Sequence, residues 1–152
     1  VSGCGKTTVG KLLAEKINLP FFDADNFHPS ENVTKMSSGE PLNDNDRKPW
    51  LEILAEKIEK WNRSDGAVLA CSALKESYRK LLISKSTDVQ FVYLNGAKDI
   101  ILQRMKNREG HYMPPDLLDS QFEALEEPGY EAIHISIKQS PEEIVDRIIE
   151  MI

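Results

Sequence analysis

The chain opens on Val1-Ser2-Gly3-Cys4-Gly5-Lys6-Thr7-Thr8, a run whose residue types and spacing could hold phosphate. Glycines let successive backbone N–H groups turn inward onto phosphate oxygens, and a helix that follows adds its positive end. A lysine at position 6 reaches the same oxygens as a compact charge, and the Thr7 hydroxyl can ligate a divalent cation such as Mg²⁺. The spacing is that of G-x-x-x-x-G-K-[ST] without its first glycine. Val9, Leu12, Leu13 and Ile17 then recur on one helical face, so the run leads straight into a helix. Gly3, Cys4, Gly5, Lys6, Thr7 and Thr8 are therefore the predicted nucleotide-binding residues. Lys6 has a catalytic role besides, and Cys4 is read as a small residue tolerated in the loop. Such loops follow a β-strand, so the sequence predicts a parent chain with about 5–10 mostly apolar residues ending in glycine ahead of Val1.

A cation on a bound nucleotide also needs a carboxylate. The apolar run Ala67–Cys71 carries no acid at its end. The pair Asp23 and Asp25, at the end of Leu19-Pro20-Phe21-Phe22, is the remaining source. On an extended strand, alternate residues face one side. Asp23 is assigned to the metal and Asp25 to the hydroxyl of an acceptor, and the two roles are interchangeable at this stage. His28 follows directly and could donate a hydrogen bond to a substrate.

The basic residues fall into groups. Arg104 and Arg108 share a helix face by their i, i+4 spacing. Ahead of Glu109-Gly110-His111 they read as a lid, over about 104–116, that delivers arginines to a transferring phosphoryl group. Lys75 and Arg79 repeat that spacing, and Arg47-Lys48 ends a long polar loop over about 26–46. These four are candidate anchors for an anionic acceptor such as a carboxylate.

The elements that must position these residues alternate. The pattern predicts a helix after the loop, a strand ending at Asp23, and a short helix around Ser30–Met36. A longer helix starts near Asp46, with Pro49 in its first turn and a stripe of Trp50, Leu54, Ile58 and Trp61. The strand Ala67–Cys71 precedes a helix capped by Ser72, with Leu74, Tyr78, Leu81 and Leu82 on its apolar face. Val89–Leu94 is the next strand. Helices carrying Ile100, Ile101 and Met105, then Leu117, Leu118, Phe122 and Leu125, come after it. Ile133–Ile137 is the last strand. Ser140-Pro141-Glu142-Glu143 is a capping box that opens a helix of Ile144, Val145, Ile148, Ile149 and Ile152. Alternation of this kind implies an α/β fold with a parallel sheet between helices. Four strands are visible, and a fifth would precede the phosphate loop.

The 152 residues fit one domain, 1–152, and 40% hydrophobic with 29% charged residues is a globular balance. The net charge of −6 disfavours nucleic acid and anionic membranes as partners. The apolar runs are far shorter than a bilayer requires. Two cysteines, Cys4 and Cys71, make no disulfide framework and point to a reducing, cytoplasmic setting. The three histidines lack zinc-site spacing.

Read together, the segments Val1–Thr8, Asp23–Pro29, Lys35–Leu51, Cys71–Lys75 with Tyr78-Arg79, Gly110–Met113, Ser120–Phe122 and Leu125–Pro128 resemble the gluconokinases. These are small P-loop kinases of the shikimate-kinase-like group. The P-loop is shared with many NTPases, whereas Gly39–Trp50 and Cys71–Arg79 are far more specific. The resemblance implies a three-layer P-loop fold with a five-stranded parallel sheet and a helical lid. It implies ATP- and Mg²⁺-dependent phosphorylation of D-gluconate to 6-phosphogluconate by a homodimer. It carries phosphate binding onto Gly3, Gly5, Lys6, Thr7 and Thr8. Substrate roles for His28, Arg47, Lys75 and Arg79 are inferred on matched positions.

Two other readings compete. A shikimate kinase would carry a Gly-rich turn after the third strand, where this chain has Ser72-Ala73-Leu74. A nucleotide switch would need an acid after that strand and a guanine-reading N-K-x-D, and the chain has neither.

Overall fold

The computed structural model describes residues 4–86, 88–96, 100–101, 103 and 117–152. Gly5 starts the first helix. Its φ of +96° lies in the left-handed region, which a residue with a Cβ enters only at a cost. Helix α1 (Lys6–Ile17) runs from it. Its Gly10 lies so close to Phe21 that a Cβ would come within 2.5 Å of that ring. The absent side chain lets α1 sit down on strand β1 (Phe21–Asp23).

A 3₁₀ turn (Ala24–Phe27) follows, then α2 (Ser30–Ser37), α3 (Asp44–Asn62), β2 (Val68–Ala70) and α4 (Glu76–Leu82). β3 (Phe91–Asn95), α5 (Leu117–Ala124), β4 (Ala132–Ser136) and α6 (Pro141–Met151) complete the described elements. β1 pairs in parallel with β2, with Phe22 opposite Leu69. β3 pairs in parallel with β4, with Tyr93 opposite His134. A cleft of about 350 Å³ is lined by Val68–Ala70 of β2, Phe91–Leu94 of β3, and Val9 and Leu13 of α1.

Among the described residues, two larger apolar clusters flank the strands, and a smaller one gathers Cys4, Ile101 and Ile137. Val9 and Leu13 of α1 pack with Ile133 and Ile135 of β4 and with Ile144, Val145 and Ile148 of α6. On the other side Trp50, Leu54 and Ile58 of α3 pack with Leu74, Tyr78 and Leu82. Within β2, Val68 joins the first cluster and Leu69 the second, as the alternation of a strand covered on both faces demands. Each fully buried side chain of this kind contributes about 1.5–3 kcal/mol.

Four expectations need correction. α3 begins at Asp44, two residues ahead of Asp46, because the Asn43 side chain and Asp46 form a reciprocal capping box. Pro49 therefore lies inside the helix, in its second turn. Ser72 does not cap α4, whose N-cap is Lys75; instead the Ser72 carbonyl accepts from the Leu74 N–H in a tight turn. At α6, Ser140 accepts from the Glu143 N–H as expected. Glu143, however, accepts from the Ser140 hydroxyl and not from its backbone. Ile149 and Ile152 at the end of α6 are exposed. Met105, the lid over 104–116 and Gly3 lie outside the described residues.

Candidate active site

The loop and α1 deliver Lys6 and Thr7 together. Lys6 Nζ sits 4.0 Å from Cys4 Sγ, and Cys4 is itself buried, so the thiol fills space beneath the loop. The Thr7 hydroxyl faces the end of β1, where its Oγ1 lies 3.4 Å from Asp23 Oδ2. Both are hard oxygen donors, the type Mg²⁺ takes. Among the described residues no group of three or more His, Cys, Asp and Glu could cage a metal alone. Thr8, one residue further along the helix, is exposed.

The placement of Asp25 differs from the strand argument. β1 stops at Asp23, and the Asp25 N–H donates to Asp23 Oδ1 at 3.0 Å. That bond makes Asp23 the cap of the 3₁₀ turn, so a tight turn and not strand alternation positions Asp25. Asp23 thus has one oxygen toward Thr7 and the other holding the turn. Asp25 lines a small pocket with His28, Arg47, Ser72 and Gln121. The pocket has about 20 Å³, room for one water.

His28 is held from three sides. Its ring stacks on Trp50, 4.2 Å between centroids. The buried Asn32 amide donates to His28 Nδ1 at 3.2 Å and to the Asp46 carbonyl at 2.8 Å. Both amide hydrogens are thereby used, which leaves the imidazole proton on Nε2. That nitrogen is 4.0 Å from Asp25 Oδ1. Burial first, and the Arg47 charge second, push the imidazole down to about 4, so His28 is a neutral donor at pH 7. Trp50 in turn donates from Nε1 to the Ala24 carbonyl at 2.7 Å, tying α3 to the turn that carries Asp25.

The basic anchors divide. Arg47 lines the Asp25 pocket and donates from Nη1 to Tyr78 Oη at 3.0 Å. Lys75 lies over the same phenol ring, 5.7 Å from its centroid, and Arg47 is 5.5 Å from it. Arg79, next to Tyr78 in sequence but turned around the helix, does not join them. It is buried, donates from Nη1 to the Ala73 carbonyl at 2.9 Å, and lines the cleft with Cys4, Lys6 and Tyr93. Lys48 is exposed. Arg104 and Arg108 lie outside the described residues.

Sequence reasoning left three participants off the candidate site. Asn32 fixes the histidine tautomer. Gln121 of α5 is buried and lines the pocket of Asp25 and His28. Asp44 accepts from Lys75 and Tyr78. Asn32 stands four residues from His28, but His28 precedes the predicted helix, so helical spacing gave no signal for the pair. Gln121 and Asp44 had none without the fold.

Fold and site together define a small P-loop kinase. The profile of the shikimate kinase family matches residues 2–152. The thermoresistant gluconokinase of Escherichia coli is 42% identical, over 100% of this chain and 89% of that protein. The crystal structure of a gluconokinase from Sinorhizobium meliloti superimposes with a TM-score of 0.87 at 40% identity, covering 99% of this chain and 86% of its own. An unliganded sugar kinase from Janibacter gives a TM-score of 0.93 at 40% identity, covering 99% and 88%. The chain belongs to the gluconokinase family, within the shikimate-kinase-like group.

Proposed function

We propose that the protein transfers the γ-phosphoryl group of ATP to the terminal hydroxyl of D-gluconate, giving 6-phospho-D-gluconate and ADP. The observation that carries this reading is the shared position of Arg47. One residue lines the pocket of the acceptor aspartate, Asp25, and also contacts Tyr78 beside Lys75. A linear acid with a hydroxyl at one end and a carboxylate at the other matches such a layout. The gluconokinase relatives support the same acceptor.

In this reading Gly3, Gly5 and the first turn of α1 hold the phosphates, and Lys6 offsets charge on the γ-phosphoryl oxygens. Thr7 and Asp23 would hold Mg²⁺, which would offset negative charge on those oxygens. Asp25 orients the acceptor hydroxyl and takes its proton as the new P–O bond forms and the bond to the β-phosphate oxygen breaks. His28 donates from Nε2 to the sugar chain. Arg47 and Lys75 take the carboxylate. Arg79 acts from the cleft, and Arg104 and Arg108 close over the phosphates. Positioning and electrostatics dominate because the transition state is loose.

The enzyme is further placed as a cytoplasmic homodimer acting on small molecules rather than nucleic acid or membranes. The charge of −6 disfavours nucleic acid and anionic membranes as partners, and among the described residues no helix is long and apolar enough to cross a membrane. A coupled assay with ATP, Mg²⁺ and an acceptor panel tests the activity. Gluconate should be turned over far faster than shikimate or water. Preferred turnover of shikimate, or ATP hydrolysis without an acceptor, would overturn it.

A further inference from the structure

The two cations assigned to the acceptor's carboxylate already hold one. Asp44 is the first residue of α3. Its Oδ1 accepts from Lys75 Nζ at 3.0 Å and also from the Tyr78 hydroxyl. The Tyr78 hydroxyl is in turn the acceptor for Arg47 Nη1. A single carboxylate oxygen thus collects the Lys75 ammonium directly and the Arg47 charge through one phenol. These are the contacts a substrate carboxylate would make.

We propose that Asp44 is an internal stand-in for the acceptor's carboxylate: it occupies the Arg47–Tyr78–Lys75 clamp in the free enzyme and gives it up when gluconate binds. This rests on the gluconate reading above. Three features make Asp44 a replaceable occupant rather than a fixed brace. Its side chain is 64% exposed whereas that of Lys75 is 28% exposed, so releasing it returns a carboxylate to water at small cost. Asn43 and Asp46, and not Asp44, make the cap of α3, so the helix start survives its release. Tyr78 is 4% exposed and anchored in the apolar cluster, so the clamp stays while its occupant leaves. The Tyr78 hydroxyl first, and Lys75 second, hold the Asp44 carboxyl below the ordinary carboxylate range. A resident anion sets a threshold that an anionic acceptor must exceed to use the clamp, whereas a neutral sugar does not compete for it.

A site competent only in its open fraction shows an apparent affinity reduced by that fraction. In Asp44→Asn, the KM for gluconate should fall roughly three- to tenfold, with the effect in KM rather than kcat. The KM for an uncharged six-carbon polyol should move little. A gluconate KM that stays or rises in Asp44→Asn overturns the proposal, since a structural or substrate-binding Asp44 predicts those results. Wild-type enzyme supplies a second measurement that needs no variant. Carboxyl ¹³C NMR should show the Asp44 pKa moving up toward the ordinary value when gluconate saturates the enzyme. An Asp44 resonance unmoved by gluconate also overturns it. Lys75→Ala separates the two levels: if its gluconate KM does not rise, the clamp assignment itself fails.

Discussion

Thr7 Oγ1 lies 3.4 Å from Asp23 Oδ2, joining the start of α1 to the end of β1. The separation exceeds that of a good hydroxyl–carboxylate hydrogen bond. Both groups are oxygen donors of the type Mg²⁺ takes. Asp23→Asn and Thr7→Ala should therefore raise the Mg²⁺ concentration for half-maximal activity, by about tenfold or more. Titration of activity against Mg²⁺ at fixed ATP reads this, and an unchanged midpoint in both variants would remove Asp23 from the metal site.

Lys6 is the cation carried by the phosphate loop itself. Lys6→Ala should lower kcat by about 10²–10³-fold, the cost of losing one oriented donor to a charged transition state. The fold should stand, because the Lys6 side chain is not part of either of the two larger apolar clusters. Single-turnover kinetics together with a melting curve check both halves, and near-normal turnover refutes the phosphate assignment.

His28 makes a prediction about pH. Its folded pKa is about 4, below the 6.5 of an unperturbed imidazole. Between those values the unfolded chain binds a proton that the folded chain refuses, so stability falls as pH drops from 6.5 toward 4 and stops falling on this account below 4. His28→Gln, measured by Tm from pH 7 to 4, should show a shallower slope than the wild type. Equal slopes would mean that the imidazole is not held neutral.

Trp50 links the second apolar cluster to the acceptor turn through its bond to the Ala24 carbonyl. Trp50→Phe keeps most of the packing and removes the donor. Leaving a buried carbonyl unpaired costs about 1–3 kcal/mol. The loss should be accompanied by a raised gluconate KM, since Ala24 adjoins Asp25. A full loss of stability with an unmoved KM would confine the tryptophan to packing.

Arg47→Ala should raise the gluconate KM by about 10–100-fold, the range for a hydrogen bond to a charged group, and leave the KM for ATP nearly as it was. Equal effects on the two substrates would place Arg47 on the nucleotide side.

Much of this site was legible before any coordinates. The phosphate loop was, because a glycine in the left-handed region and a helix carrying Lys6 and Thr7 are written in consecutive residues. The stripe Trp50–Leu54–Ile58 and the apolar run around Val68–Ala70 also follow from period alone. The route to Asp25 did not. Three residues make too short a strand for alternation to hold, and the Asp23 side chain bends the chain by accepting the Asp25 N–H. The start of α3 was missed because Asn43 and Asp46 cap it as an amide–acid pair, without the serine or threonine of the usual pattern. Arg79 was grouped with Lys75 by spacing, yet its guanidinium reaches back to the Ala73 carbonyl, which spacing cannot report. Asp44 looked like one more surface acid until Tyr78 was brought to it by the packing of α3 on α4.

Helix α1 carries two unrelated duties on one short rod. Its first turn presents Lys6 and Thr7, while Val9 and Leu13, a turn or two along, sit among residues of β4 and α6 and reach Val68 of β2. The two strand pairs therefore meet through the same rod that carries Lys6 and Thr7. Any force or ordering applied at its tip, by a bound polyanion for instance, is felt at the joint between the halves. The protein's grip on nucleotide and its mechanical integrity should rise and fall together.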